Sequence, residues 1–185
     1  MPALPALRGR NPSRARRGRS GAKLMLVGEQ PGDREDFVGK PFVGPAGRVL
    51  DRALGDAGIA RKDVFVTNAV KHFKYEQRGK RRLHKRPGAY EIEQCRRWLD
   101  LERKLVKPAV VVALGATAVR SLLGRTVTIS GIRGQQLATS DGARLMVTIH
   151  PSMLLRLQDD TTQLREYRHF VADLRNAAAW SRTPG

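Results

Sequence analysis

The chain has 185 residues, 41% of them hydrophobic, which suits one domain with a single core. No apolar run approaches the roughly 20 residues that cross a bilayer, and the single cysteine, Cys95, excludes an internal disulfide framework and fits a reducing, cytoplasmic compartment. Lys and Arg number 35 against 17 acidic residues, a formal charge of +18, which points to a polyphosphate partner wherever the excess is clustered.

Residues 1–22 are mostly Arg, Gly, Pro and Ala with no periodic apolar face, and read as a disordered basic arm ahead of a folded domain over residues 23–180. Leu24–Val27 is a short apolar run of the buried-strand type. Gly44–Pro45 opens a helix with Val49, Leu50, Ala53, Leu54 and Ala57 on one face, and Gly58 stops it. Val64–Asn68 is a second strand. A long basic loop follows, in which residues 71–86 carry eight cations against Glu76 alone; either it meets phosphates or it is a solvated surface. A helix runs from about Ala89 to Leu105, Ala109–Leu114 is a Val-rich central strand, and Ala116–Leu123 is a short helix. Residues 126–140 suggest a small hairpin at one edge. Leu145–Ile149 is the fourth strand, and a helix near Thr162–Ala179 turns Leu164, Tyr167, Val171 and Leu174 inward. This alternation predicts an α/β fold, a three-layer sandwich with a central four-stranded parallel sheet flanked by helices.

Ligands of such sheets sit beyond the carboxyl ends of the strands. That rule nominates Gly28–Asp36, Asn68–Arg86, Gly115–Thr117 and His150–Leu155. Polar and charged residues concentrate in the first, second and fourth. Taken singly each has an ordinary reading: Asp33 as a cap, Asn68 as a turn residue, Phe42 as a core aromatic, His84 as a surface imidazole, Cys95 as a buried thiol.

In order along the chain stand G-E-Q-P-G-D (Gly28–Asp33), P-F-V-G-P-A-G-R (Pro41–Arg48), V-T-N-A-V-K-H (Val66–His72), K-R-R-L-H (Lys80–His84) and H-P-S (His150–Ser152). This series, between about Lys23 and Arg175, resembles the uracil-DNA glycosylase superfamily, and the K-R-R-L-H segment resembles its UdgX type, relatives of the family 4 enzymes. The resemblance implies excision of uracil from DNA, preferably single-stranded, by a monomer. It makes Phe42, on a loop whose Gly and Pro neighbours suggest exposure, the ring that stacks on the base. Asn68 becomes the base reader: an amide can donate to uracil O4 and accept from N3–H, and the same pose mismatches cytosine. His150 would face uracil O2 and help hold the departing anion. Ser152 would contact phosphate, with Met153 and Leu154 wedged into the vacated stack. Gln30 and Asp33 would touch substrate or place water.

The same resemblance makes His84 a nucleophile that attacks C1′ of the sugar and stays bonded to DNA, with Glu29 as its carboxylate partner. Lys80, Arg81 and Arg82 would bind the flanking phosphates. It also implies a 4Fe–4S cluster, to which His72 and Cys95 would supply the two later ligands. The N-terminal C-x-x-C is missing, so an intact cluster is not expected. Two other readings remain open: a turnover enzyme in which water outcompetes His84, and a non-catalytic basic DNA-binding module on a degenerate glycosylase scaffold.

Overall fold

A computed structural model describes residues 21–139 and 141–183. The arm expected over residues 1–22 lies, up to residue 20, outside the described residues; Ala22 is buried in the core. The chain opens with strand β1 (Leu24–Gly28), helices α1 (Asp33–Val38) and α2 (Pro45–Asp56), and strand β2 (Val64–Asn68). Strands β3 (Tyr75–Arg78) and β4 (Arg81–His84), helix α3 (Ala89–Val106), strand β5 (Val110–Leu114) and helix α4 (Ala116–Leu123) follow. Helix α5 (Ile129–Ile132), strands β6 (Gln136–Ala138) and β7 (Arg144–Thr148), and helices α6 (Pro151–Leu154) and α7 (Asp160–Trp180) complete it.

The main sheet has the order β2-β1-β5-β7-β6. Its first four strands are parallel and β6 runs antiparallel to β7. The four-stranded parallel sheet read from the sequence is therefore present, with one antiparallel strand added at its edge. Successive side chains of a strand point to opposite faces, and the two cores follow that alternation. Leu24, Leu26, Val64, Val66, Val110, Val112 and Leu114 pack with Leu50 and Leu54 of α2 and Phe170 and Leu174 of α7. Met25, Val27, Phe65, Val111, Ala113, Leu145 and Val147 pack with Leu99 and Val106 of α3 and Val119 and Leu122 of α4. Strands apolar on both faces are what a doubly covered parallel sheet requires.

Three expectations need correction. The segment after Asn68 is not a long loop: β3 and β4 form a separate antiparallel hairpin, pairing Tyr75 with His84 and Arg78 with Arg81. Gly79, at φ 56°, supplies the left-handed turn that a two-residue hairpin loop needs; polar, charged strands hid the pairing. Residues 126–140 yield α5 and β6 rather than a hairpin of their own, and β7 is the partner strand. Leu164 is 51% exposed rather than inward. It stands six residues before Phe170, so at about 100° per residue it lies roughly 120° around α7 from the buried stripe.

Beneath the carboxyl end of β2 lies a buried ion pair. Lys71 and Glu102 side chains are 4% and 6% exposed, and Nζ reaches Glu102 Oε2 at 2.7 Å. The same ammonium donates to Thr67 Oγ1 at 2.8 Å and to the Asn68 carbonyl at 2.7 Å, while Thr67 Oγ1 donates to Glu102 at 2.7 Å. All three ammonium donors are thus matched. Removing one partner strands a buried charge, at a cost of about 3–5 kcal/mol. Lys71→Met should therefore lower stability in urea by about that much, and adding Glu102→Leu should recover most of it. A double variant as unstable as the single one would rule out the stranded charge as the cause.

Candidate active site

The strand order places β1 between β2 and β5, so the chain departs from β1 to one side and returns on the other. That reversal, at the carboxyl ends of β1 and β5, is where an open α/β sheet leaves a crevice. Here it opens into a cleft of about 790 Å³. Glu29, Gln30, Asp33, Phe42, Asn68, His84, His150 and Ser152 all line it, so the structure brings together residues scattered over more than 120 positions.

Gly28 makes the floor possible. It pairs in register with Asn68, and a Cβ at this glycine would collide with Asn68 Oδ1 and lie 2.7 Å from Phe42 Cζ. The amide and the ring occupy the space that a side chain would fill. Asn68 is 1% exposed, and its Nδ2 is buried without a hydrogen-bond partner among the described residues. An unmet buried donor is costly, and this one lies in the cleft. Phe42 is buried, 6% exposed, rather than on an exposed loop, and holds φ at 57°, a conformation uncommon for an aromatic residue. Glu35 supports that backbone: its carboxylate accepts from Gly32 N–H at 3.0 Å and from the N–H groups of Phe42, Val43 and Gly44. Burial nonetheless raises its pKa above the ordinary carboxylate value.

His150 caps α6 and its ring lies 5.8 Å from that of Phe42. Its Nδ1 accepts the Ser152 N–H at 3.2 Å and sits 2.7 Å from Ser152 Oγ. A backbone N–H can only donate, so the ring proton belongs on Nε2. Burial pushes this imidazole down to about 4; Glu29 opposes the shift, and Arg156 and His84 reinforce it. Ser152, expected on phosphate, also accepts from Arg156 Nη2 at 3.3 Å.

His84 ends β4, 48% exposed, with Nε2 3.2 Å from Glu29 Oε1. Glu29 Oε2 in turn accepts from Thr117 Oγ1 at 2.8 Å. The hairpin that carries His84 is tied down by Arg82. This guanidinium pairs with Asp33 and with Asp36 at 3.0 Å, and lies over the rings of Phe37, Tyr75 and Phe73 at 4.2, 5.0 and 5.3 Å. Its side chain is only 14% exposed, so Arg82, expected on phosphate, is directed into the protein. Gln30 is used in the same way: Oε1 accepts from Lys74 N–H, and Nε2 donates to the carbonyls of Lys74 and Lys85. Lys80 and Arg81 remain exposed at the hairpin turn, and Arg34, Arg86 and Arg156 line the cleft.

Residues 15–175 match the sequence profile of the Uracil DNA glycosylase superfamily. A Type-4 uracil-DNA glycosylase of Thermotoga maritima is 34% identical over 169 residues, covering 91% of this chain and 82% of that protein. The chain belongs to the uracil-DNA glycosylase superfamily. Type-4 uracil-DNA glycosylases of Pyrobaculum aerophilum and Archaeoglobus fulgidus are 37% and 31% identical, over 72% and 75% of this chain and 68% and 69% of their own lengths.

Within this superfamily member the two residues matched to cluster ligands do meet: Cys95 Sγ lies 3.8 Å from His72 Nδ1. Burial raises the thiol and lowers the imidazole, so both are held neutral. Among the described residues no group of three or more His, Cys, Asp and Glu could hold a metal ion, and the sequence contains one cysteine. A four-iron cluster takes a ligand for each iron. The residues present do not fit it, and no step below passes through one.

The sequence motifs give no role to Glu35, Thr117, Arg34 or Arg156; Arg86 belongs to the basic stretch over residues 71–86. Arg34, Glu35 and Thr117 fall inside nominated strand ends and Arg156 lies one residue beyond one, but nothing in their spacing marks them. The His150 environment has a measurable consequence. Its ring should titrate near 4 by ¹⁵N NMR, well below the ordinary 6.5. The unfolded chain takes up this proton first as pH falls, so the stability it contributes is whole above about 6.5 and is lost toward 4. A midpoint at 6 or higher would remove the argument for a neutral donor.

Proposed function

We propose that this chain is a uracil-DNA glycosylase that excises uracil from DNA and then bonds His84 to C1′ of the resulting abasic sugar. The observation that carries the proposal is that His84 and its Glu29 partner share one cleft with Asn68, Phe42 and His150. Single-stranded DNA is the preferred substrate, because its uracil enters a pocket without the cost of unpairing. A monomer acting in the cytoplasm is part of the same proposal, and the unpaired thiol of Cys95 suits that compartment.

Each step follows from a group already described. Phe42 stacks on the base. Asn68 gives its unmatched Nδ2–H to uracil O4 and accepts N3–H at Oδ1; cytosine would set donor against donor at position 4. His150 directs Nε2–H to O2, where charge gathers as the C1′–N1 bond breaks and its electron pair leaves with the base. The sugar is left electron-poor at C1′. The His84 ring nitrogen that holds a lone pair forms the new bond, the ring becomes cationic, and the Glu29 carboxylate offsets that charge. The expelled uracil anion takes its proton from solvent.

Water is the competitor for C1′. Gln30 and Asp33, which the turnover reading requires to place it, are both engaged with the hairpin. That engagement favours capture by His84. Phosphate contacts fall to Lys80, Arg81, Arg34, Arg86 and Arg156, which are exposed or line the cleft, with Ser152 beside them.

Incubation with a uracil-containing single-stranded oligonucleotide, followed by boiling in detergent and electrophoresis, should show a one-to-one adduct. His84→Ser should abolish it, and a thymine oligonucleotide should give none. An adduct that persists in His84→Ser would remove the nucleophile. Equal binding of uracil and thymine oligonucleotides, with steep salt dependence and no base released, would instead mark a non-catalytic DNA-binding module.

A further inference from the structure

Thr117 lies in the first turn of α4, 3% exposed, and its hydroxyl donates to Glu29 Oε2 at 2.8 Å. The opposite oxygen of that carboxylate is the one 3.2 Å from His84 Nε2. An ionised carboxylate only accepts, so the hydrogen belongs to Thr117, and its donation fixes the rotation of the Glu29 head group. The threonine is itself well placed. Gly115, at φ 87°, turns the chain out of β5 into α4 and gives its N–H to the Thr148 carbonyl at 3.0 Å. A Cβ there would lie 3.0 Å from His150 Cβ. One turn thereby touches the histidine that faces the base and the carboxylate that serves the nucleophile.

Glu29 needs such a restraint because of its company. Its side chain is 24% exposed, and Arg34, Arg86 and Arg156 line the same cleft. A guanidinium binds a carboxylate through two parallel hydrogen bonds, more strongly than a lone imidazole contact does. Untethered, the Glu29 head group would turn toward an arginine and leave His84. We propose that Thr117 is a positioning residue for the covalent step: its buried hydroxyl holds one oxygen of Glu29 so that the other stays at His84. The inference rests on the reading of His84 as the group that captures C1′.

The test measures two products in one reaction, adduct formed and uracil released, on a uracil-containing single-stranded oligonucleotide. A hydrogen bond to a charged group is worth roughly tenfold or more. Thr117→Val, which keeps the side-chain shape, should lower the ratio of adduct to released uracil about tenfold. Thr117→Ser, which keeps the hydroxyl, should restore the ratio to near wild type. A loosened fold would lower both products together, so a Thr117→Val ratio equal to wild type overturns the proposal whatever the absolute rates. The ring ¹⁵N signals of His84 give a second readout: Thr117→Val should shift them toward those of Glu29→Gln, and unshifted signals overturn the coupling. Uracil release by the wild-type protein with no adduct overturns the covalent reading instead, and the His84 signals then still decide whether Thr117 governs Glu29.

Discussion

Arg82 is the contact on which the active-site arrangement depends. A two-stranded hairpin is at best marginally stable alone, and among the described residues β3–β4 pairs with no other strand. What holds it over the cleft is one guanidinium between the carboxylates of Asp33 and Asp36, with Phe37, Tyr75 and Phe73 around it. Arg82 and His84 lie on the same face of β4, because alternate residues of a strand share a side. The face turned toward α1 for the ion pairs is thus the one that presents the imidazole, whose ring also rests 6.0 Å from Phe73. Gln30 and the 2.5 Å Lys74–Glu91 pair secure the open end of the hairpin, where Lys74 and Lys85 meet. A lysine at position 82 would offer a charge but no planar fork to bridge two acids beneath three rings.

The charge of the chain divides by direction. Of the eight cations between residues 71 and 86, Lys71, Lys74 and Arg82 turn inward to Glu102, Glu91 and the Asp33–Asp36 pair. Arg78, Lys80, Arg81, Lys85 and Arg86 stay exposed. Composition alone cannot make this division, because it counts formal charges and not their partners. Cations that fold the protein and cations proposed to meet a polyanion stand next to each other, and Arg81 and Arg82 differ only in the face of β4 to which they belong.

What was legible in the sequence was whatever repeats. β2 (V-F-V-T-N) and β5 (V-V-V-A-L) are short Val-rich runs, and they end at Asn68 and at Leu114, before Gly115, where that pattern stops. Local alternation carries the sheet because both its faces are covered. The hairpin escaped notice because Tyr-Glu-Gln-Arg and Arg-Arg-Leu-His bury almost nothing, so no hydrophobic period marks them. Phe42 was read as exposed from its Gly and Pro neighbours; those residues allow the turn, but Glu35 and the space above Gly28 decide where the ring goes. Thr117 leaves no signal, since one hydrogen bond between residues 88 positions apart has no sequence period, and Glu35 leaves none because its partners are backbone N–H groups. The candidate site residues rest on ordered motifs, which record geometry that no single element displays.

The cleft holds two imidazoles with opposite surroundings, and this contrast separates their chemistry. His150 is buried and its Nδ1 is held by the Ser152 N–H, so it is fixed as a neutral Nε2–H donor. A donor of that kind stabilises an anion as it forms without having to lose a proton, which suits a leaving base. His84 is half-exposed at the end of a hairpin, with a carboxylate beside it. It can therefore become cationic on forming a bond, because Glu29 balances the charge and solvent reaches the ring. With the two environments exchanged neither proposed task is served: burial outweighs Glu29 at the His150 position and would penalise a new positive charge, and an exposed ring could not be kept neutral by desolvation. Under the proposed reading, burial at the end of β7 suits His150 to leaving-group stabilisation and exposure at the end of β4 suits His84 to nucleophilic capture.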